Sequence, residues 1–164
     1  AGLLKPVKDK KEIWGFVSDC GLPCVADPGE ELVQQAYKFG FHIESFSGPC
    51  SLLLALQLSG LNAERFSFRG YLPREQVDRR NEIKELESRI NKHKETQIVM
   101  EAPYRNRELF MDLIDVLSPN VLLVVCGSVT YEGHTVLRKT VADWRKQATF
   151  PLEKMPVLFV IGRE

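Results

Sequence analysis

The chain has 164 residues, its 22 Lys and Arg balanced by 22 Asp and Glu. That neutrality gives no global pull toward nucleic acid or an anionic membrane, and the 44% hydrophobic share fits one globular domain or two small ones. No apolar run approaches bilayer length, and the polar, basic start, residues 1–11, has no signal-peptide pattern, so a cytoplasmic protein with no membrane partner is expected.

Residues 1–12 are lysine-rich without a hydrophobic pattern and read as the end of an element or a connecting loop. An apolar run at 13–17 then reads as a buried strand, followed by a loop at 18–29 and an amphipathic helix at 30–39 that stops at Gly40. A strand–loop–helix unit of this kind is where parallel α/β proteins bind ligands. Asp27 is placed as the helix N-cap, with Pro28 at the first helical position and Glu30 completing a capping box. Asp19, just past the strand, has two readings: a carboxylate accepting ligand hydroxyls or an ammonium group, or an Asx-turn. No Lys or Arg lies between Lys11 and Lys38, and neither phosphate-loop signature is present, so a neutral or cationic adenosyl ligand fits better than a nucleoside triphosphate.

Residues 41–46 read as a second buried strand, parallel to the first. The turn Ser47-Gly48-Pro49-Cys50-Ser51 leads into a helix too apolar all round for a surface, expected to be sandwiched between layers and to end at Gly60. Residues 65–71 alternate as a half-exposed strand, and residues 74–94 form a charged helix with one narrow stripe, Val77, Ile83, Leu86 and Ile90. Its Arg74, Arg79, Arg80 and Lys84 are candidates to meet phosphates, a solvated helix face being the alternative.

Strand 96–100 delivers Glu101-Ala102-Pro103-Tyr104-Arg105 to a strand end, and the next helix carries Leu109, Phe110, Leu113, Ile114 and Leu117. Strand 121–126, a hairpin within 127–140, a short helix at 141–146 and a last strand at 156–161 complete an α/β chain whose character changes near Leu61. Cys20, Cys24, Cys50 and Cys126 form no C-x-x-C pair and lack a nearby His partner, so no metal is expected and the thiols read as reduced. Cys50 near a helix start and His134 in the hairpin are weak candidates for chemistry, each with an ordinary structural reading beside it.

Four stretches in order resemble the tetrapyrrole methylase family of S-adenosylmethionine-dependent methyltransferases, most nearly the branch that methylates ribose 2′-hydroxyls of small-subunit ribosomal RNA. They are Ser18-Asp19-Cys20-Gly21-Leu22-Pro23 through Asp27-Pro28-Gly29; Ser47 to Ser51 with the apolar helix and Ser59-Gly60-Leu61; Arg65-Phe66-Ser67-Phe68-Arg69-Gly70-Tyr71-Leu72-Pro73; and Glu101 to Arg105. The resemblance implies two α/β domains with the cofactor between them. Residues 1–61 would be a partial, parallel-sheet N-terminal domain, and residues 62–164 a mixed-sheet C-terminal domain. The first strands and first glycine-rich loop of the family are missing, so the chain is expected to begin inside a longer protein and to bind cofactor poorly without that part.

Carried over, the resemblance places Asp19, Gly21, Pro23, Gly48, Pro49 and Ser51 around S-adenosylmethionine, with Met100, Ala102 and Pro103 closing from the other domain. Glu101 is the candidate base for a ribose hydroxyl, with pairing to Arg105 or Arg107 as the other reading of that side chain. A homodimer is implied. The chain departs from the family at Gly127-Ser128-Val129-Thr130-Tyr131-Glu132 and at Met155-Pro156. Those departures leave methyl transfer standing and open the choice of acceptor: RNA, a small tetrapyrrole-like molecule, or none in a binding module that keeps only the fold.

Overall fold

The computed structural model describes residues 4–19, 21–147 and 154–164. It divides into two compact units, residues 1–50 and 51–164.

The first unit holds two helices. Helix α1 (Lys5–Lys10) has proline in its first turn and ends on Lys11, whose left-handed conformation lets its N–H donate to the Val7 carbonyl. Of the two readings of residues 1–12, an element end or a connecting loop, the loop is thus corrected to a helix over residues 5–10. Helix α2 (Glu30–Lys38) ends as its sequence indicates, with Gly40 N–H donating to Tyr37 and Phe41 N–H to Ala36. Its start differs. Gly29 is the N-cap with no side-chain cap, and Asp27 instead accepts a hydrogen bond from the Ser18 hydroxyl, tying the two ends of the loop together. The glycine is required there, because a Cβ would fall 2.5 Å from the Phe16 ring and 2.7 Å from Cys24 Sγ at a φ of 137°.

Neither residues 13–17 nor residues 41–46 form a strand, contrary to expectation. Their apolar sequence favours extended backbone, but a strand exists only where neighbouring chains accept its N–H and C=O groups. Among the described residues none does, and Ile13, Val17 and Phe46 stand in the open, 100%, 83% and 83% exposed.

The second unit starts with α3 (Ser51–Ser59) and continues through β1 (Phe66–Tyr71), α4 (Gln76–His93), β2 (Thr96–Glu101), a 3-10 turn (Pro103–Arg105) and α5 (Asn106–Val116). Then come β3 (Leu122–Gly127), β4 (Thr135–Thr140), α6 (Val141–Arg145) and β5 (Val157–Gly162). The strands make one mixed sheet in the order β1-β2-β5-β3-β4. Only β1 and β2 run parallel, joined through α4; the hairpin expected within 127–140 is corrected to one between β3 and β4, with residues 128–134 as its turn.

Ile83, Leu86, Leu109, Phe110, Leu113 and Trp144 pack with Val99, Val125, Phe159 and Ile161 into a dry core. Trp144 meets Phe110 edge to face at 5.2 Å, and its indole N–H donates to the Leu123 carbonyl at 2.8 Å, so the ring is buried with its polar atom matched. On α3, Leu52, Ala55 and Leu56 are buried while Leu53 and Leu58 stay exposed, so that helix is covered on one side rather than sandwiched. On α4 the buried stripe is Arg79, Ile83, Leu86 and Ile90, and Val77 faces water. An arginine takes the place the pattern gave to a valine.

Candidate functional site

In the first unit, the loop at 18–29 and the turn at 47–50 approach one another. A Cβ placed on Gly48 would lie 3.4 Å from Leu22 Cδ2, so the turn at Gly48 is packed against the Leu22 side chain of the loop. Asp19 and Gly21 are exposed on this loop, Pro23 is half-buried, and Gly48 and Pro49 are exposed on the turn. Cys20 lies outside the described residues. A groove of about 620 Å³ opens beside the same loop, lined by Leu4, Phe16, Asp27 to Glu31, Leu32 and Gln35. None of Asp19, Gly21, Pro23, Gly48 and Pro49 is in that lining, so the groove follows α2 rather than the expected ligand residues. Ser51, exposed, opens α3 in the second unit.

In the second unit the chemistry gathers at the C-terminal ends of the parallel pair β1 and β2. Glu101 ends β2 and is buried, its Oε1 accepting the Ala102 N–H at 2.8 Å and its Oε2 lying 3.1 Å from Arg105 Nη2. Of the two arginines weighed as partners, Arg105 is the one that meets it. Met100 and Ala102 are half-buried and Pro103 exposed around this turn. The Arg105 guanidinium also donates to the Pro73 carbonyl at 3.5 Å, joining the turn after β2 to the loop after β1.

That loop has a second clamp. Arg79, fully buried, donates from Nη1 to the Arg74 carbonyl at 2.7 Å and to Pro73 at 3.4 Å, and from Nε to Asp112 at 2.7 Å, with Glu108 as a further partner. Burial alone would push the Arg79 guanidinium down, but its hydrogen bonds and charge contacts with Asp112 and Glu108 outweigh that and hold it above its ordinary value. A side chain so enclosed has no face left for phosphate, and the expectation of RNA contact through Arg79 is corrected to a structural role. Arg80 is half-buried and pairs with Asp115 at 3.1 Å, whereas Arg74 is exposed. The signal for Arg79 was in the sequence: residues 79, 83, 86 and 90 share one helical phase, and Asp112 shares the buried face of α5 with Leu109 and Leu113.

Burial pushes the Cys126 thiol up to about 12, which removes it as a nucleophile. His134 is exposed in the turn between β3 and β4. Among the described residues no group of His, Cys, Asp and Glu is arranged to hold a metal, and no helix is long and apolar enough to cross a membrane.

No family model matches the chain. It is 35% identical over 128 residues to "Ribosomal RNA small subunit methyltransferase I" of Vibrio cholerae, covering 78% of this chain and 43% of that protein. It is 38% identical over 152 residues to the protein of the same name from Leptospira borgpetersenii, covering 91% and 58%. Among solved structures, uroporphyrin-III-C-methyltransferase from Thermus thermophilus aligns with 87% of this chain and 61% of its own, at a TM-score of 0.52 and 21% identity. This is the tetrapyrrole-methylase fold. The resemblance carried by the four motifs is borne out, in sequence by the ribosomal RNA methyltransferases and in architecture by the tetrapyrrole methylases. The chain spans about half the length of the curated relatives it matches.

Proposed function

We propose that the chain belongs to an S-adenosylmethionine-dependent methyltransferase acting on a ribose 2′-hydroxyl of small-subunit ribosomal RNA. The observation that carries this reading is its similarity to proteins named for ribosomal RNA small-subunit methylation, across both units. Residues 1–61 supply the cofactor loops and residues 62–164 the sheet whose strand ends carry Glu101.

The residues present suit the cofactor. The loop from Ser18 to Gly29 offers an exposed carboxylate at Asp19 and no competing cation, as a ligand with an ammonium group and ribose hydroxyls requires. The proposed cofactor contacts are Asp19, Gly21, Pro23, Gly48 and Pro49 in the first unit, and Ser51, Met100, Ala102 and Pro103 in the second. When bound, it supplies an electrophilic methyl group on a sulfonium. The protein's share is then alignment and exclusion of water, together with a base near the acceptor oxygen. Glu101 is the proposed base; the turn's Ala102 N–H holds one of its oxygens, and the other, buried without a hydrogen bond among the described residues, faces Arg105 at 3.1 Å.

Arg74 and Arg80 are proposed RNA contacts. A homodimer fits the exposed Leu53 and Leu58 on α3, and the free thiols of Cys24, Cys50 and Cys126 suit the cytoplasm. The test is transfer of labelled methyl from S-adenosylmethionine to small-subunit RNA, followed by alkaline digestion. A methylated 2′-oxygen cannot attack the adjacent phosphate, so label is expected in alkali-resistant dinucleotides. Label released in mononucleotides would place the methyl group on a base, and label accepted by a uroporphyrin-type tetrapyrrole but not by RNA would move the reading to the other acceptor.

A further inference from the structure

Three side chains near the ends of β1 and β2 are not used by the donor loops or by Glu101: Tyr71, Arg74 and Tyr104. Tyr71 and Tyr104 are 57% and 76% exposed, an unusual state for two aromatic rings at adjacent strand ends. The backbone aims Tyr71 deliberately. Register runs Phe68 against Ile98 and then Tyr71 against Met100, so one extra residue is inserted at Gly70, whose φ is 66°. Such a bulge turns the next side chain to the opposite sheet face, here from the side of Arg69 to that of Met100.

The platform is also stiff. The Pro73 carbonyl accepts from both Arg79 and Arg105, and the Arg74 carbonyl from Arg79, so the segment after Tyr71 is pinned to α4 and to the turn that carries Tyr104. The same guanidiniums neutralise the acids beneath: Arg105 faces Glu101, and Arg79 faces Asp112 and Glu108. Among the described residues Arg74 makes no ion pair; exposed Glu75 beside it tempers its charge.

We propose that Tyr71 and Tyr104 form a stacking platform for unpaired bases of single-stranded RNA, with Arg74 meeting the backbone phosphate. Every base has a π-face, so rigid, exposed rings bind unstacked nucleotides without reading their sequence, and a paired base cannot reach them. The inference rests on the RNA reading above and specifies the state of the substrate: an unpaired segment. Because the chain is neutral and this edge carries little net charge, stacking rather than counterion release carries the affinity.

The test is fluorescence anisotropy of the whole chain with a short labelled oligoribonucleotide, single-stranded or annealed to its complement, at low and moderate salt. The single strand is expected to bind better than the duplex, with a shallow salt dependence. Tyr104→Ala and Tyr71→Ala should each weaken it roughly 5- to 150-fold, and Tyr104→Phe should retain it, because stacking needs the ring and not the hydroxyl. Both residues are exposed, so unchanged melting temperatures confirm that the alanine variants are folded. Alanine variants that bind like the parent overturn the platform and leave RNA binding intact, as does a preference for duplex. A parent protein that binds neither RNA overturns the platform and the RNA reading together, and loss confined to a uroporphyrin-type tetrapyrrole reassigns the rings to that ligand.

Discussion

Residues 13–17 and residues 121–126 are comparable apolar runs, yet the first forms no regular element and the second lies in the middle of a sheet. The difference is in the neighbours. β3 has β5 on one side and β4 on the other, in register over six positions each, and α5, α6 and α3 cover its faces. In the first unit the same kind of sequence has no ladder among the described residues, and its side chains stay in water. Hydrophobic pattern sets which way side chains point, but a strand is a property of at least two segments.

The largest effect should come from breaking the second unit at its buried charge. Arg79→Ala leaves the buried Asp112 with only Arg80 among the described cations, 3.5 Å away, and frees the Arg74 carbonyl, so it should cost about 3–5 kcal/mol in denaturant unfolding of the sheet unit. Arg79→Met combined with Asp112→Leu should recover much of that loss; if the single change costs less than about 1 kcal/mol, the cluster does not organise α4 and α5. In the first unit the comparable point is Gly29. Gly29→Ala meets the Phe16 ring and a backbone angle that side chains avoid, and should cost about 1–3 kcal/mol, read as faster proteolysis within residues 18–29 while the sheet stays resistant. Equal cleavage of parent and variant would mean that this loop has no fixed conformation to lose.

The smallest effect is electrostatic. Hydrogen bonds from Ser67, then from Gln97, draw the Glu95 carboxyl below its ordinary 4.5, against the opposing effect of burial. A lowered carboxyl stabilises the fold above about pH 4.5, and that contribution is lost as pH falls through the folded value. Glu95→Gln should therefore flatten the acid limb of the stability curve at the β1 and β2 edge. An unchanged acid midpoint would assign acid loss to other carboxylates.

Much of the second unit was legible in advance, since residues 109, 110, 113 and 114 and the run 121–126 have periods that fit one element each and every one of those elements finds a partner. Arg79 was legible only in part: its phase with residues 83, 86 and 90 marks a buried position, but its counter-charge, Asp112, lies 33 residues away. Asp27 was misread for the same reason: its sequence spacing fits a cap, but the Ser18 hydroxyl, nine residues back, is the partner it takes. Local pattern predicted the elements of the second unit well, and predicted poorly whatever depends on a residue far along the chain. The site shares that limit. Glu101 at a strand end was visible, while its coupling through Arg105 to the Pro73 carbonyl required the parallel pairing of β1 with β2.

Where the proposed methyl donor rests is read directly by hydrogen exchange measured with and without millimolar S-adenosylmethionine. Slower exchange in residues 18–29 and 47–51, with β3 and β5 unchanged, is the predicted result. Exchange that the compound leaves untouched in both loops, or slows only elsewhere in the molecule, would contradict it.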